Sequence, residues 1–392
     1  MRVLPLTLLF AAFTLASTFA QSNPPAASAV WQMQDSGTTA GLRGIDSVDG
    51  TVAWASGTGG TVMKTLDGGA HWTQCTIPDA AKDGATLDFR GVQAWDATTA
   101  IVMASGPGDK SRLYKTTDGC SSWKLILKNR DKDGFWDALY FDRGRSGWLL
   151  GDPVKNEFAI FYSENKGRNW RRIGSKGLRV QSGTQEAFAA SNSSLIAAYD
   201  FPVFGSGGSG GAFSYSRDRT EICVDDCPTN DNFVGSGKDI WTRQRVPLGE
   251  NSNDSGAFAI GARAMIAGDP IGLQILVAVG GGYTKPNSSS GTAAWSADRD
   301  STWTASTAPP HGFRSAVQWS EALKAWITVG TNGSDISRDD GKTWQPLDDG
   351  NWNALSLPFV VGPNGRIARL NPAALLSLPT ESYSALDHGP AR

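Results

Sequence analysis

The sequence predicts an all-β protein, a seven-bladed β-propeller of four-stranded blades. Three observations carry that prediction: a box closed by tryptophan that recurs along the chain, short apolar runs that end in glycine with no helical periodicity, and one strand at the N-terminus with no box before it.

The box reads S/T-x-D-x-G-x-x-W with lapses. Its copies run from Thr65 to Trp72 around Asp67, Thr116 to Trp123 around Asp118, Ser163 to Trp170 around Asn165, Ser296 to Trp303 around Asp298, and Ser337 to Trp344 around Asp339. A further copy opens at Ser216-Arg217-Asp218 and reaches Trp241 only after an insertion, so the closing tryptophans lie 51, 47, 71, 62 and 41 residues apart. Those intervals suit a propeller repeat lengthened by insertions. Physically the box is a hairpin tip. Its Asp accepts hydrogen bonds from the turn's own backbone N–H groups, glycine supplies positive φ, and the indole wedges between neighbouring sheets.

Each repeat reads as four short strands. First strands start at Leu42-Arg43-Gly44-Ile45, Phe89-Arg90-Gly91-Val92, Trp136-Asp137-Ala138-Leu139 and Phe313-Arg314-Ser315-Ala316; second strands end in glycine, as at Gly57, Gly151, Gly330 and Gly362. The third strand enters the box and the fourth leaves it. Counting first strands near Arg43, Arg90, Asp137, Glu186, Ala257, Arg314 and Asn353 gives about seven units. The last unit runs out at Leu370 with three strands, and the segment around Trp31 is the spare. An N-terminal strand that completes the last blade closes the ring and leaves no unpaired edge. The expected layout is a signal peptide over residues 1–20, a Pro/Ala/Ser leader over 21–29, one propeller over 30–370 and a tail over 371–392.

Arg2, an apolar run and the small-residue site ending at Ala20 read as a secretory signal, too short to span a bilayer. The chain is therefore expected to be exported, periplasmic or extracellular after cleavage near Ala20, and monomeric. A net charge of −2 with no basic runs argues against nucleic acid as a partner. Of four cysteines, Cys223 and Cys227 form C-x-x-x-C and are the disulfide candidate, while Cys75 and Cys120 either pair across the first two repeats or are small buried residues. With three histidines and no second C-x-x-C, no metal site is expected. Gly205-Ser206-Gly207-Gly208-Ser209-Gly210 matches G-x-G-x-x-G, but a strand rather than a helix follows, so no nucleotide site and no cofactor is expected.

The boxes resemble the Asp-box, or bacterial neuraminidase repeat, and the phrase from Gly60 to Trp72 is similar to the photosystem II stability/assembly factor family of seven-bladed propellers. The resemblance implies a non-enzymatic scaffold that binds a protein partner. Cys120 and Asp300 in place of the box glycine and Asn165 in place of the Asp depart from the pattern.

One polar position per first strand borders the channel mouth: Arg43, Arg90, Asp137, Glu186, Gly256 with Asp254 beside it, Arg314 and Asn353. Arginines from blades one, two and six would form a cationic arc opposite acids on blades three to five, suited to a protein partner or to an acidic or carbohydrate ligand. The alternative is a sialidase-like hydrolase in which Arg43, Arg90 and Arg314 hold an acidic sugar and Asp137 and Glu186 are the two carboxylates. The F/Y-R-I-P motif of sialidases is replaced by Gly41-Leu42-Arg43-Gly44, and no tyrosine starts an inner strand.

Overall fold

The computed structural model of the 392-residue chain describes residues 29–77, 87–142, 145–174, 176–180, 184–198, 201–217, 241–265 and 274–376. The signal segment, Asp218, Cys223, Cys227 and residues 377–392 lie outside the described residues.

The chain is a β-propeller. Blade one is β2 (Leu42–Ser47), β3 (Ala53–Gly57), β4 (Val62–Thr65) and β5 (Thr73–Cys75), an antiparallel sheet in that order. Blades two and three repeat the plan with β6 (Phe89–Ala94) to β9 (Lys124–Lys128) and β10 (Trp136–Phe141) to β13 (Arg171–Arg172). Blade six runs from β23 (Ala316–Ser320) to β26 (Gln345–Asp348). Blades four and five share one nine-stranded sheet. It is joined at a single residue pair, Gly207 with Gly256, between β16 (Phe201–Gly208) and β19 (Ser255–Ala264). The glycine-rich run foreseen as a loop thus lies largely in β16, followed by β17 (Phe213–Arg217). A Cβ on Gly207 would lie 2.3 Å from the Ser255 carbonyl oxygen and 2.6 Å from Gly256 Cα, so glycine here admits backbone-to-backbone contact between blades.

Blade four has a divided inner edge. Both β14 (Gln185–Glu186) and β15 (Leu195–Ala198) pair with β16. The last blade holds β27 (Ala354–Ser356), β28 (Phe359–Val361) and β29 (Ile367–Leu370), and its fourth strand is β1 (Trp31–Gln34), in the register Trp31 to Leu370 through Gln34 to Ile367. This is the expected closure, and the sheets are consistent with seven units. The tail, expected to bury little, begins instead with helix α1 (Pro372–Leu376), whose Leu375 packs in the core that holds Trp31 and Trp352.

The hairpin tips have a common geometry. One oxygen of Asp67, Asp118, Asn165, Asp298 and Asp339 accepts the backbone N–H four residues on, each at 2.9 Å. The two residues after the Asp both have positive φ, including Cys120 at 69° and Asp300 at 64°, which shows that the box tolerates non-glycine residues there. The tryptophans pack on the preceding blade: Trp72 meets Phe359 edge-on and Trp123 meets Trp54. Most are half-buried rather than sealed. Trp344 and Trp241 are buried, whereas the fully buried indoles are Trp54, Trp136, Trp326 and Trp352, within or beside the inner strands.

A cation on the third strand often caps the next blade's tip. Arg369 donates to the Gly68 carbonyl, Lys64 to that of Gly119 and Lys115 to that of Lys166. Blades one and two are also joined covalently, since Cys75 on β5 and Cys120 in the second tip form a disulfide with Cα atoms 5.7 Å apart. A crosslink closing a 45-residue separation restricts the unfolded chain most, which stabilises the fold.

Trp344→Ala empties a buried site and should cost roughly 3–5 kcal/mol, while Trp72→Ala, half-exposed, should cost roughly 1–2 kcal/mol. Chemical denaturation of both variants checks the order, and a larger loss at Trp72 would contradict this account of the tips.

Candidate functional site

The inner strands pass the channel through a repeated irregularity. Pairing skips one residue between Leu42 and Gly44, between Phe89 and Gly91, between Trp136 and Ala138, and between Ala257 and Ala259. The residues set off by these bulges are Arg43, Arg90, Asp137 and Phe258. A bulge re-aims its extra side chain out of the sheet's alternation. Three of the polar positions predicted from sequence are therefore bulge residues. The fifth blade differs: its bulge residue is Phe258, not Gly256, so the mouth there is apolar.

Arg43 and Arg90 share Asp88, the residue before β6. Arg90 Nε donates to Asp88 Oδ2 at 2.8 Å, and Arg43 Nε lies 3.7 Å from Oδ1. Arg90 also donates to the Ala189 carbonyl at 3.2 Å and lies over the Phe135 ring. Burial pushes the Arg43 pKa down, Asp88 opposes that, and Arg90 adds to it. Arg43 Nε and Asp88 Oδ1 are both buried without a hydrogen-bond partner. Asp88 was not singled out in the sequence; its spacing of two from Arg90, which puts both on one side of an extended strand, is the signal that could have found it.

Asp137 is 1% exposed. Burial drives its pKa well above the carboxylate range, Asp152 raises it further, Arg90 opposes, and Glu186 adds repulsion. Asp152, next to the second bulge of its blade between Gly151 and Pro153, accepts the Ala187 N–H at 3.0 Å, and burial pushes it to about 7. Glu186 is exposed at the rim. Asp254 is also exposed, held by hydroxyls of Ser252 and Thr284 that, chiefly through those bonds, lower its pKa.

Arg314 does not join the arginines. Its guanidinium is 0% exposed and is consumed by Asp335, with further bonds to the Phe313 carbonyl, Asn332 and His311. A buried arginine needs such partners, and Asp335 on β25 (Gly333–Ser337) supplies the charge. The expected three-arginine arc is thus a pair. Asn353 donates its side-chain N–H to the Leu42 carbonyl at 2.7 Å and ties the last blade to the first. In place of the third arginine, Phe188, Phe258 and Phe313 form an aromatic cluster, with Phe188 and Phe258 stacked at 3.7 Å and Tyr283 half-exposed on its edge. Single-position alignment missed these rings because no motif marks them.

No family model matches the sequence. Among curated proteins, the chloroplastic photosystem II stability/assembly factor HCF136 of Oryza sativa subsp. japonica is 27% identical over 115 residues, covering 29% of this chain and 26% of that protein. Its counterpart from Arabidopsis thaliana is 26% identical over 120 residues, with the same coverage of 29% and 26%. The match spans about a quarter of those relatives, 26% of each. Among solved structures, YCF48 bound to a D1 peptide superposes with a TM-score of 0.56 at 18% identity, covering 89% of this chain and 99% of that one. YCF48 from Cyanidioschyzon merolae gives 0.57 at 19%, covering 88% and 100%. At these identities the likeness establishes the fold.

Three raised carboxyls sit where blades meet. Asp152 is pushed to about 7, Asp46, bonded to Gln93 and Ala94 of the next blade, to about 6, and Asp300, bonded to Ser214, to about 6, each mainly by burial. A carboxyl with a raised folded pKa contributes stability that is full below its unfolded value, near about 4, and is lost as pH rises through the folded value. Tip carboxyls Asp67 and Asp118, held near 2 mainly by bonds from His71 and Ser122, act in the opposite direction, but only below about pH 4. Denaturation midpoints should therefore be higher at pH 5 than at pH 8, and Asp152→Asn should flatten the difference; a midpoint that rises toward pH 8 would contradict this.

Proposed function

We propose that the chain is an exported, non-enzymatic propeller that holds a segment of a protein partner at its channel mouth, in the manner of an assembly factor. The observation that carries this reading is the Arg43–Asp88–Arg90 cluster: two guanidiniums at bulges share one carboxylate, and one buried Nε has no acceptor. A partner carboxylate or backbone carbonyl supplies that acceptor. The similarity to assembly factors and to a structure bound to a peptide supports a polypeptide as the occupant. Export rests on the segment ending near Ala20, and no described helix is long and apolar enough to cross a membrane.

The sialidase-like alternative asks for three arginines around one carboxylate. With Arg314 consumed by Asp335 that trio is split, which favours binding over glycoside hydrolysis.

Affinity capture from the native envelope fraction, read by mass spectrometry, tests the proposal. Arg43→Ala or Arg90→Ala should weaken the captured partner by about tenfold or more, since charged hydrogen bonds contribute about 1.5–3 kcal/mol. Capture unaffected by both variants, or hydrolysis of sialosides or uronides that vanishes in Glu186→Gln, would overturn it.

A further inference from the structure

The mouth holds a second feature that the arginine pair does not use. On blades three and four the acids descend from Glu186, exposed at the rim, through half-buried Asp152 to Asp137 at the base. Asp137 Oδ2 is buried with no donor. The Asp152 N–H bonds to the Asp137 carboxylate, and the Ala187 N–H serves Asp152, so neither satisfies that oxygen. Arg90, the nearby guanidinium, already serves Asp88 and the Ala189 carbonyl. Around this half of the mouth four carboxyls, Asp88, Asp137, Asp152 and Glu186, face two guanidiniums, Arg43 and Arg90. A sealed acceptor beside unneutralised acids calls for a group with both positive charge and N–H donors.

The geometry points to a cation subsite: the recess of Asp137, Asp152 and Glu186 takes the ammonium or guanidinium of a lysine or arginine on the partner segment. A metal ion is disfavoured, because no group of three or more His, Cys, Asp or Glu side chains among the described residues is placed to hold one. A lysine or arginine fits better than a small inorganic cation for a second reason. Its apolar stem lies along the wall formed by Phe135, and its head reaches the buried oxygen. The mouth then recognises a segment bearing both signs of charge, the anion or carbonyl at Arg43 and the cation on blades three and four. This deepens the proposed function and rests on it only for the partner's being a polypeptide.

The test needs no identified partner. At constant ionic strength the protein is titrated with n-butylammonium, ethylguanidinium and the neutral analogue ethylurea, while the backbone amides of Asp152 and Ala187 are followed by NMR. The two cations should give saturable shifts and ethylurea none. Asp137→Asn should weaken cation binding at least about fivefold, a modest figure for loss of a charged partner. Glu186→Gln, exposed and safe for folding, should weaken it measurably, and Arg43→Ala should leave it equal or tighter. No shift with either cation, equal shifts with ethylurea, or unchanged binding in both acid variants would overturn the subsite. If cations fail to bind while partner capture still depends on Arg43, this inference falls and the proposed function stands; the converse result would retain the subsite and remove the reading above it.

Discussion

Four residues near the start of the chain, Trp31 to Gln34, pair with Ile367 to Leu370 near its end, and the closed ring depends on that ladder. Each blade buries its faces against two neighbours, so an unclosed ring would expose a face and an edge at the seam. Contacts between the first and last blades reinforce it. Gln34 donates to the Gly68 carbonyl and accepts from Trp72, Arg369 donates to the Gly50 and Gly68 carbonyls, and the Leu42 N–H bonds to the Gly362 carbonyl. The N-terminal strand thus completes the last blade and grips the first. A Cβ on Gly69 would lie 2.1 Å from Gln34 Oε1, so that tip requires glycine for contact as well as for its φ of 89°.

Closure sets the inner strands side by side, and short polar links hold them there. Asp46 accepts from Gln93 and Ala94, Gln93 accepts from the Phe141 N–H, Asn192 accepts from the Leu139 N–H, Gln318 from that of Leu357, and Ser356 from that of Ser47. These links leave a narrow choice for the bulge residues that follow, which point toward the channel. The mouth's chemistry is therefore decided blade by blade: cationic on the first two, acidic on the third and fourth, aromatic from the fourth to the sixth. Such a partitioned rim is better suited to reading a polypeptide than to holding one symmetric ion.

The architecture was legible because its signals are local. A box needs its Asp, its left-handed pair and its tryptophan within eight residues, and Trp31 declared itself a spare strand by having no box. The mouth was legible only in part. Arg43, Arg90 and Asp137 follow a large apolar residue and precede a small one, which marks a bulge. In the fifth blade the same pattern falls at Ala257-Phe258-Ala259, where a search for polar residues looks past it. Arg314 carries the pattern too, but its fate depends on Asp335 two strands away, a tertiary fact. The Cys75–Cys120 bond was one of two open readings for the same reason, since the outer strand of one blade and the next blade's tip are neighbours only in the ring.

Native-state hydrogen exchange reports on the seam most directly. The amides of Trp31 to Gln34 that bond to Ile367 to Leu370 should exchange only through global unfolding, at the rates seen for Phe359 to Val361 inside the same blade. Rapid, independent exchange of the N-terminal strand while the rest of that blade stays protected would contradict the claim that this ladder closes and holds the ring.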